Sequence, residues 1–254
     1  IRENRQKIAK LLEKAGIEFC SKRKNVLLAD EMGIGKTVET LGVINLDSSI
    51  QNVLIVCPAS LKLNWRNECN KWLVKKYEIN VVNGKGIIPQ GINIINYNIL
   101  KKHRVEIIKQ EWDLLIVDEC HYAKNYKAQR TKELCEVSTK AKKRIFLSGT
   151  PLLNRPIELF SILDMLEVNF AKNNFWNFAK KYCNAQKNKY GWDMNGASNL
   201  EELQTKLREE IMIRRLKKDV LTELPEKTKQ VIELSAEGMQ HLINRGNSAW
   251  QRWQ

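Results

Sequence analysis

The chain has only three histidines, and no two of its six cysteines (20, 57, 69, 120, 135 and 183) stand in Cys-x-x-Cys spacing. The first shortage excludes a His-rich metal centre, and the second leaves no zinc framework. Scattered thiols, with Cys57 and Cys120 at predicted strand ends, suit a reducing compartment. No apolar run approaches the roughly 18–20 residues that span a bilayer. No charged-then-apolar export signal opens the chain. Internal repeats and low-complexity tracts are also missing. The expectation is a soluble intracellular protein with no membrane partner, cytoplasmic in a bacterium or phage and nuclear in a eukaryote.

Acidic residues are in short supply relative to basic ones: 29 Asp and Glu against 43 Lys and Arg, a formal charge of +14. Such an excess is the footprint of polyanion binding, because cations that neutralise phosphates release counterions. An apolar share of 43% over 254 residues is enough to bury a core in one large or two small domains.

What is present is concentrated at strand ends. Leu27 and Leu28 lead into Ala29, then Asp30-Glu31-Met32-Gly33-Ile34-Gly35-Lys36-Thr37, then a helical pattern. Glycines let successive N–H groups turn toward phosphate oxygens. The helix N-terminus adds partial positive charge, Lys36 neutralises the β/γ-phosphates, and the Thr37 hydroxyl reaches a magnesium ion. The generic pattern wants a glycine where Asp30 stands. Taken alone, the turn also fits an ordinary strand–helix loop, the lesser of the two readings.

A second apolar strand, Leu114 to Val117, ends in Asp118-Glu119-Cys120-His121. The C-terminal ends of strands are where open α/β sheets bind ligands. Asp118 is placed to hold the metal and Glu119 to take a proton from attacking water. A third strand, Arg144 to Leu147, stops at Ser148-Gly149-Thr150-Pro151. Ser148 and Thr150 are expected beside His121, as a coupling contact between nucleotide and nucleic acid. A simple β-turn explains the same glycine and proline.

These three segments, in this order, resemble the first RecA-like lobe of superfamily 2 helicases. Asp30 to Thr37, Asp118 to His121 and Ser148 to Pro151 are similar to the SNF2 family's Asp-Glu-Met-Gly-x-Gly-Lys-Thr, Asp-Glu-x-His and Ser-Gly-Thr-Pro motifs. Cys57 to Leu61 with Trp65 resembles motif Ia, and Ile95 to Tyr97 resembles motif Ib. Arg214 to Val220, then Leu224 to Lys227, looks like the segment leading to the second lobe. Tyr190 to Asp193 and Gly196 to Leu203 look most like the HepA-related, SMARCA-like annealing helicase branch. The resemblance covers nearly the whole chain. One position departs: where the family carries an adenine-reading glutamine, this chain has Glu13, so no residue is assigned to adenine.

Strands are predicted at about 26–30, 53–58, 79–83, 92–96, 114–118 and 144–148, with helical patterns between most of them. Alternation of this kind argues for an α/β fold with a mainly parallel sheet covered by helices on both faces. Past Pro156 the strands are expected to cease. Ile157, Phe160, Leu163 and Leu166 mark one helix. Leu200, Leu203, Leu207 and Ile211 mark another, opened by the capping box Ser198-x-x-Glu201. The implied domains are a RecA-like ATP-binding lobe at 1–155, a helical protrusion on it at 156–224, and at 225–254 the start of a linker to a second RecA-like lobe.

By resemblance, Ser60, Lys62, Asn96, Tyr97, Lys124 and Asn125 lie on loops that grip a DNA backbone, contacts that position without reading sequence. Trp65 falls on the apolar helix face and reads as a packing residue. Arg214 and Arg215 read as coupling residues toward the inter-lobe cleft, although a basic pair after a helix also caps its dipole. The resemblance implies a DNA-dependent ATPase that uses ATP and Mg2+ to move along double-stranded DNA, and works with a second lobe of the same polypeptide. Two alternatives stand beside it: a lobe that only binds ATP and DNA, and an RNA-directed superfamily 2 helicase.

Overall fold

The computed structural model describes residues 13–220, except 85, 150–154, 173 and 190. Runs rich in Val, Ile and Leu form Asn25–Leu28 (β1), Val53–Cys57 (β2), Ile79–Val81 (β3), Ile92–Asn96 (β4), Trp112–Val117 (β5) and Ala141–Leu147 (β6). Gln186–Asn188 (β7) and Gly191–Asp193 (β8) make a separate antiparallel hairpin, and Met212–Ile213 (β9) is a two-residue strand. The main sheet has the order β3-β4-β2-β5-β6-β1-β9, with every neighbouring pair parallel. Parallel neighbours need crossovers, and helices supply them.

Those helices are residues 13–21 (α1), Lys36–Leu46 (α2), Lys62–Trp72 (α3), Leu100–Ile108 (α4), Gln129–Ser138 (α5), Pro156–Met165 (α6), Phe175–Tyr182 (α7), Leu200–Glu210 (α8) and Lys217–Val220 (α9). Successive strand residues face opposite ways, so the sheet has two cores. Val26, Leu28, Ile55, Ile116 and Ile145 point to one, with Leu41 and Ile44 of α2 and Trp65 of α3. Leu27, Leu54, Val56, Leu115 and Phe146 point to the other, with Leu134 of α5, Leu163 of α6, Phe178 of α7 and Leu207 of α8. Burial of each such side chain contributes about 1.5–3 kcal/mol before the entropy of ordering is subtracted. The extension after Pro156 thus shares a core with the sheet.

Two expectations are corrected. Strands do not cease after Pro156. Leu27 and Ala29 donate backbone N–H bonds to Ile211 (2.9 Å) and Ile213 (2.8 Å), so the chain returns to the sheet as β9. Two residues are too short to show alternation, and the polar, exposed β7 reads as a loop. Ser198 does not cap α8. Its hydroxyl donates to the Lys181 carbonyl (2.8 Å) and accepts from the Asn184 N–H (3.2 Å), so a tertiary partner replaces the helix's own amides. The helix instead follows Asn199, whose φ is 49°. Thr150 and the predicted linker at 225–254 lie outside the described residues.

Candidate active site

The phosphate-loop turn depends on two glycines in the left-handed region, Gly33 at φ 83° and Gly35 at φ 112°, where a side chain would be strained. The turn delivers Lys36 to the first position of α2. Its ammonium donates to the carbonyls of Asp30 (2.7 Å) and Glu31 (3.3 Å), lying across its own loop. Burial lowers the Lys36 pKa, against the pull of Glu119 foremost, then Asp30 and Asp118. The lysine and the acidic pair therefore lie within electrostatic reach of one another.

Asp118 is held from several sides. Trp65 Nε1 donates to its Oδ2 (2.8 Å), and the Glu119 backbone N–H donates to its Oδ1 (2.9 Å). Tyr97 donates its hydroxyl to the Asp118 carbonyl (2.7 Å). Burial pushes the Asp118 carboxyl up. Glu119 sits at φ 49°, a conformation that costs a non-glycine residue about 1–3 kcal/mol and needs support from its surroundings. His121 Nδ1 is 3.1 Å from Glu119 Oε2 but out of hydrogen-bond alignment, and among the described residues it has no hydrogen-bond partner.

The end of β6 closes the site. A β-carbon on Gly149 would come 2.5 Å from Met32 Cγ and 3.5 Å from Lys36 Nζ, so the third motif abuts the phosphate loop. Ser148 is fully buried, and its hydroxyl is in hydrogen-bond reach of the Cys120 thiol. Burial pushes that thiol well above its usual range. Ile34 is buried, Met32 is exposed, and Thr37 is half-buried beside Lys36.

The β9 strand brings residues that periodicity did not reveal. Arg215 donates its backbone N–H to Asp30 Oδ1 (2.7 Å) and its Nε to Asp30 Oδ2 (2.8 Å), and its Nη2 reaches Glu39 Oε1 (2.6 Å). The Asp30 carboxylate, fully buried, is thus turned into the protein, and only its backbone faces the cradle. Arg214 donates to the Ala29 carbonyl (3.1 Å), and Glu31 Oε2 accepts the Lys217 N–H (2.8 Å). A β-carbon on Gly33 would lie 3.4 Å from Lys217 Nζ, and one on Gly35 the same distance from Glu13 Oε1. Lys217 and Glu13 therefore flank the phosphate loop from outside.

The expected DNA residues divide. Ser60 is exposed on the turn after β2, and Asn96 ends β4 nearly buried. Tyr97 is 4% exposed and turned inward. Lys62 donates to the Val82 carbonyl (3.0 Å) and to Asn83. Lys124 pairs with Glu158 (3.1 Å), and Asn125 Oδ1 accepts the Lys127 N–H (3.0 Å).

A family model described as SNF2-related domain matches residues 12–246. The chain belongs to the SNF2-related family. It is similar to human "DNA annealing helicase and endonuclease ZRANB3", 38% identical over 97% of this chain and 24% of that protein. It is also similar to "SWI/SNF-related matrix-associated actin-dependent regulator of chromatin subfamily A-like protein 1" of Bos taurus, 36% identical over 85% of this chain and 23% of that protein. The chain thus spans about a quarter of the length of these curated relatives. The solved "Sulfolobus solfataricus SWI2/SNF2 ATPase core in complex with dsDNA" matches with a TM-score of 0.68 and 26% identity, over 86% of this chain and 47% of that one. The SNF2 fold bears out the mainly parallel sheet and RecA-like lobe expected from the sequence. Among the described residues no helix is long and apolar enough to cross a membrane.

Proposed function

We propose that this SNF2-related chain is the first lobe of an ATP-dependent DNA translocase, which hydrolyses ATP to move along duplex DNA and to remodel or reanneal it. One observation carries the reading: the turn bearing Lys36, the Asp118–Glu119 pair and the Gly149 turn follow the C-terminal ends of β1, β5 and β6, parallel neighbours in one sheet, and Gly149 abuts Met32 and Lys36. Relatives whose names state DNA annealing, and a solved relative bound to duplex DNA, support the substrate. The division into a lobe at 1–155, a protrusion at 156–224 and a linker from 225 toward a second RecA-like lobe belongs to this reading.

The residues fit a nucleotide and its metal. The two left-handed glycines leave backbone N–H groups free to turn toward phosphates. The hard oxygens of Thr37 and Asp118 suit Mg2+. When bound, magnesium neutralises charge on the phosphate oxygens. Lys36 exchanges its two carbonyl partners for phosphate oxygens and balances charge as the bond to the leaving group breaks. Glu119 orients the attacking water and accepts its proton. Trp65 keeps the Asp118 carboxylate aimed. Ser148, Thr150 and His121 link this centre to the DNA-binding loops, and Arg214 and Arg215 link it to the exit segment.

The test uses the two-lobed polypeptide. Lys36→Ala and Glu119→Gln should each reduce DNA-stimulated ATP hydrolysis at least about a hundredfold. Only Lys36→Ala should also weaken nucleotide binding. Wild-type turnover in either variant rejects the assignment, and stimulation by RNA in preference to duplex DNA rejects the substrate.

A further inference from the structure

The segment Tyr190 to Asp193 is not used by the nucleotide site. Trp192, on β8, remains 44% exposed, and Trp176, on α7, 47% exposed. Their ring centroids are 5.2 Å apart at 59°. Aromatic rings bury 150–250 Å² when covered, so two adjacent open tryptophans forfeit much of that burial. Beside them lies a cavity of about 370 Å³. Trp192 and Met194 form one side, Tyr126 and Ile157 contribute to its lining, and the amides of Asn125 and Asn195 also line it. Aromatic and apolar faces mixed with amides and charged groups suit a planar, hydrogen-bonding ring, and the volume is in the range of small-ligand sites.

The charge around it selects the ligand class. Lys187 is the cross-strand partner of Trp192 and shares its face of the hairpin. Lys127 Nζ stands 5.7 Å from the Tyr126 ring. Among the described residues neither ammonium has a carboxylate partner. Glu158 in the lining is offset by Lys124 at 3.1 Å. From residue 171 to residue 192 the sequence carries lysines and no acid. Aromatic faces with cations alongside are how proteins hold unpaired nucleotides: the rings stack on bases and the cations follow the phosphates.

We propose that this cavity binds an unpaired nucleobase of DNA, stacked on Trp192, as a site separate from the loops that follow the duplex backbone. The inference rests on the DNA-translocase reading and adds a second DNA feature to it. The cavity's loop, 124–127, directly follows the turn Cys120–Ala123 that leaves the Asp118–Glu119 pair. Tyr126 also meets Phe175 at 5.1 Å, and Phe175 meets Trp176 at 5.5 Å. A base held there restrains the segment next to the hydrolytic residues, so single-stranded DNA beside the duplex is sensed within the motor lobe.

Fluorescence anisotropy with the two-lobed polypeptide tests this, using a blunt duplex, the same duplex with a short thymidine tail, and one with an abasic tail. The two tails carry equal phosphate charge and differ in their bases. Wild type should prefer the thymidine tail about tenfold, the scale of stacking one base. Trp192→Ala should erase that preference and Trp192→Phe retain part of it, with blunt-duplex affinity unchanged within about twofold. Trp176→Ala gives a second, independent removal, and thermal melts verify that each variant is folded. Equal binding of both tails by wild type overturns the proposal. So does a preference that survives Trp192→Ala, the result expected if the tryptophans instead meet a protein, and so does an equal loss on all three DNAs. If wild type fails to bind even the blunt duplex, the DNA-translocase reading falls as well.

Discussion

Trp65 has two roles in one side chain. Its ring is 1% exposed and fills the core between α3 and the sheet, while its Nε1 holds Asp118 Oδ2 at 2.8 Å. Helical spacing shows which face Trp65 occupies, and so its packing role was readable. The hydrogen bond was not, because its acceptor lies 53 positions away. Tyr97 presents the same difficulty: the sequence places it at the rim but does not say whether its hydroxyl points to DNA or to the Asp118 carbonyl. Trp65→Phe separates the two roles. It keeps most of the buried ring and leaves a buried carboxylate oxygen without its donor, and hydrogen bonds to charged groups are worth about 1.5–3 kcal/mol. The expected result is ATP turnover reduced by about tenfold or more with a higher magnesium requirement, measured by steady-state kinetics across a magnesium series. Unchanged turnover per folded molecule would mean that Trp65 only fills space.

At the scale of elements, the strongly apolar strands were readable because their burial leaves little choice of partner. The return of the chain as β9 was not, since its place beside β1 depends on Arg215 meeting Asp30 and Glu39. These two acids stand at either end of the phosphate loop, and both are fully buried. Among the described residues Glu39 Oε2 has no hydrogen-bond partner, and a β-carbon on Gly16 would come 2.0 Å from it. The α1–α2 contact is therefore closed tightly over a carboxyl group. Burial pushes Glu39 up to about 7 from 4.5, against the pull of Arg215. A carboxyl with a raised folded pKa contributes stability that is fully present below the unfolded value and is lost as pH rises through the folded one. Asp118, also raised, acts with the same sign. Lys36, lowered by burial, gains stability as pH rises toward the usual lysine range. The melting temperature of the nucleotide-free chain should fall as pH is raised from about 5 to 8. Glu39→Gln should flatten that slope, and calorimetry showing the wild-type slope in the variant would remove Glu39 as its source.

For the molecule as a whole, the charge of +14 is what links the fold to the proposed DNA partner, and bulk charge does not say which cations would meet it. Resemblance put Lys62 on a phosphate. The structure instead engages its ammonium with the Val82 carbonyl and Asn83, holding α3 to the segment after β3. These two roles predict different salt dependence. Each phosphate contact adds about 0.9 to the slope of log affinity against log salt, because each releases condensed counterions. If Lys62 acts within the protein, Lys62→Ala leaves the slope unchanged and lowers thermal stability, while duplex affinity at fixed salt moves by less than about twofold. If it reaches DNA, the slope falls by about one and affinity drops for every duplex sequence alike. A salt titration of both proteins against one blunt duplex decides between them, and the internal bonds of Lys62 favour the unchanged slope.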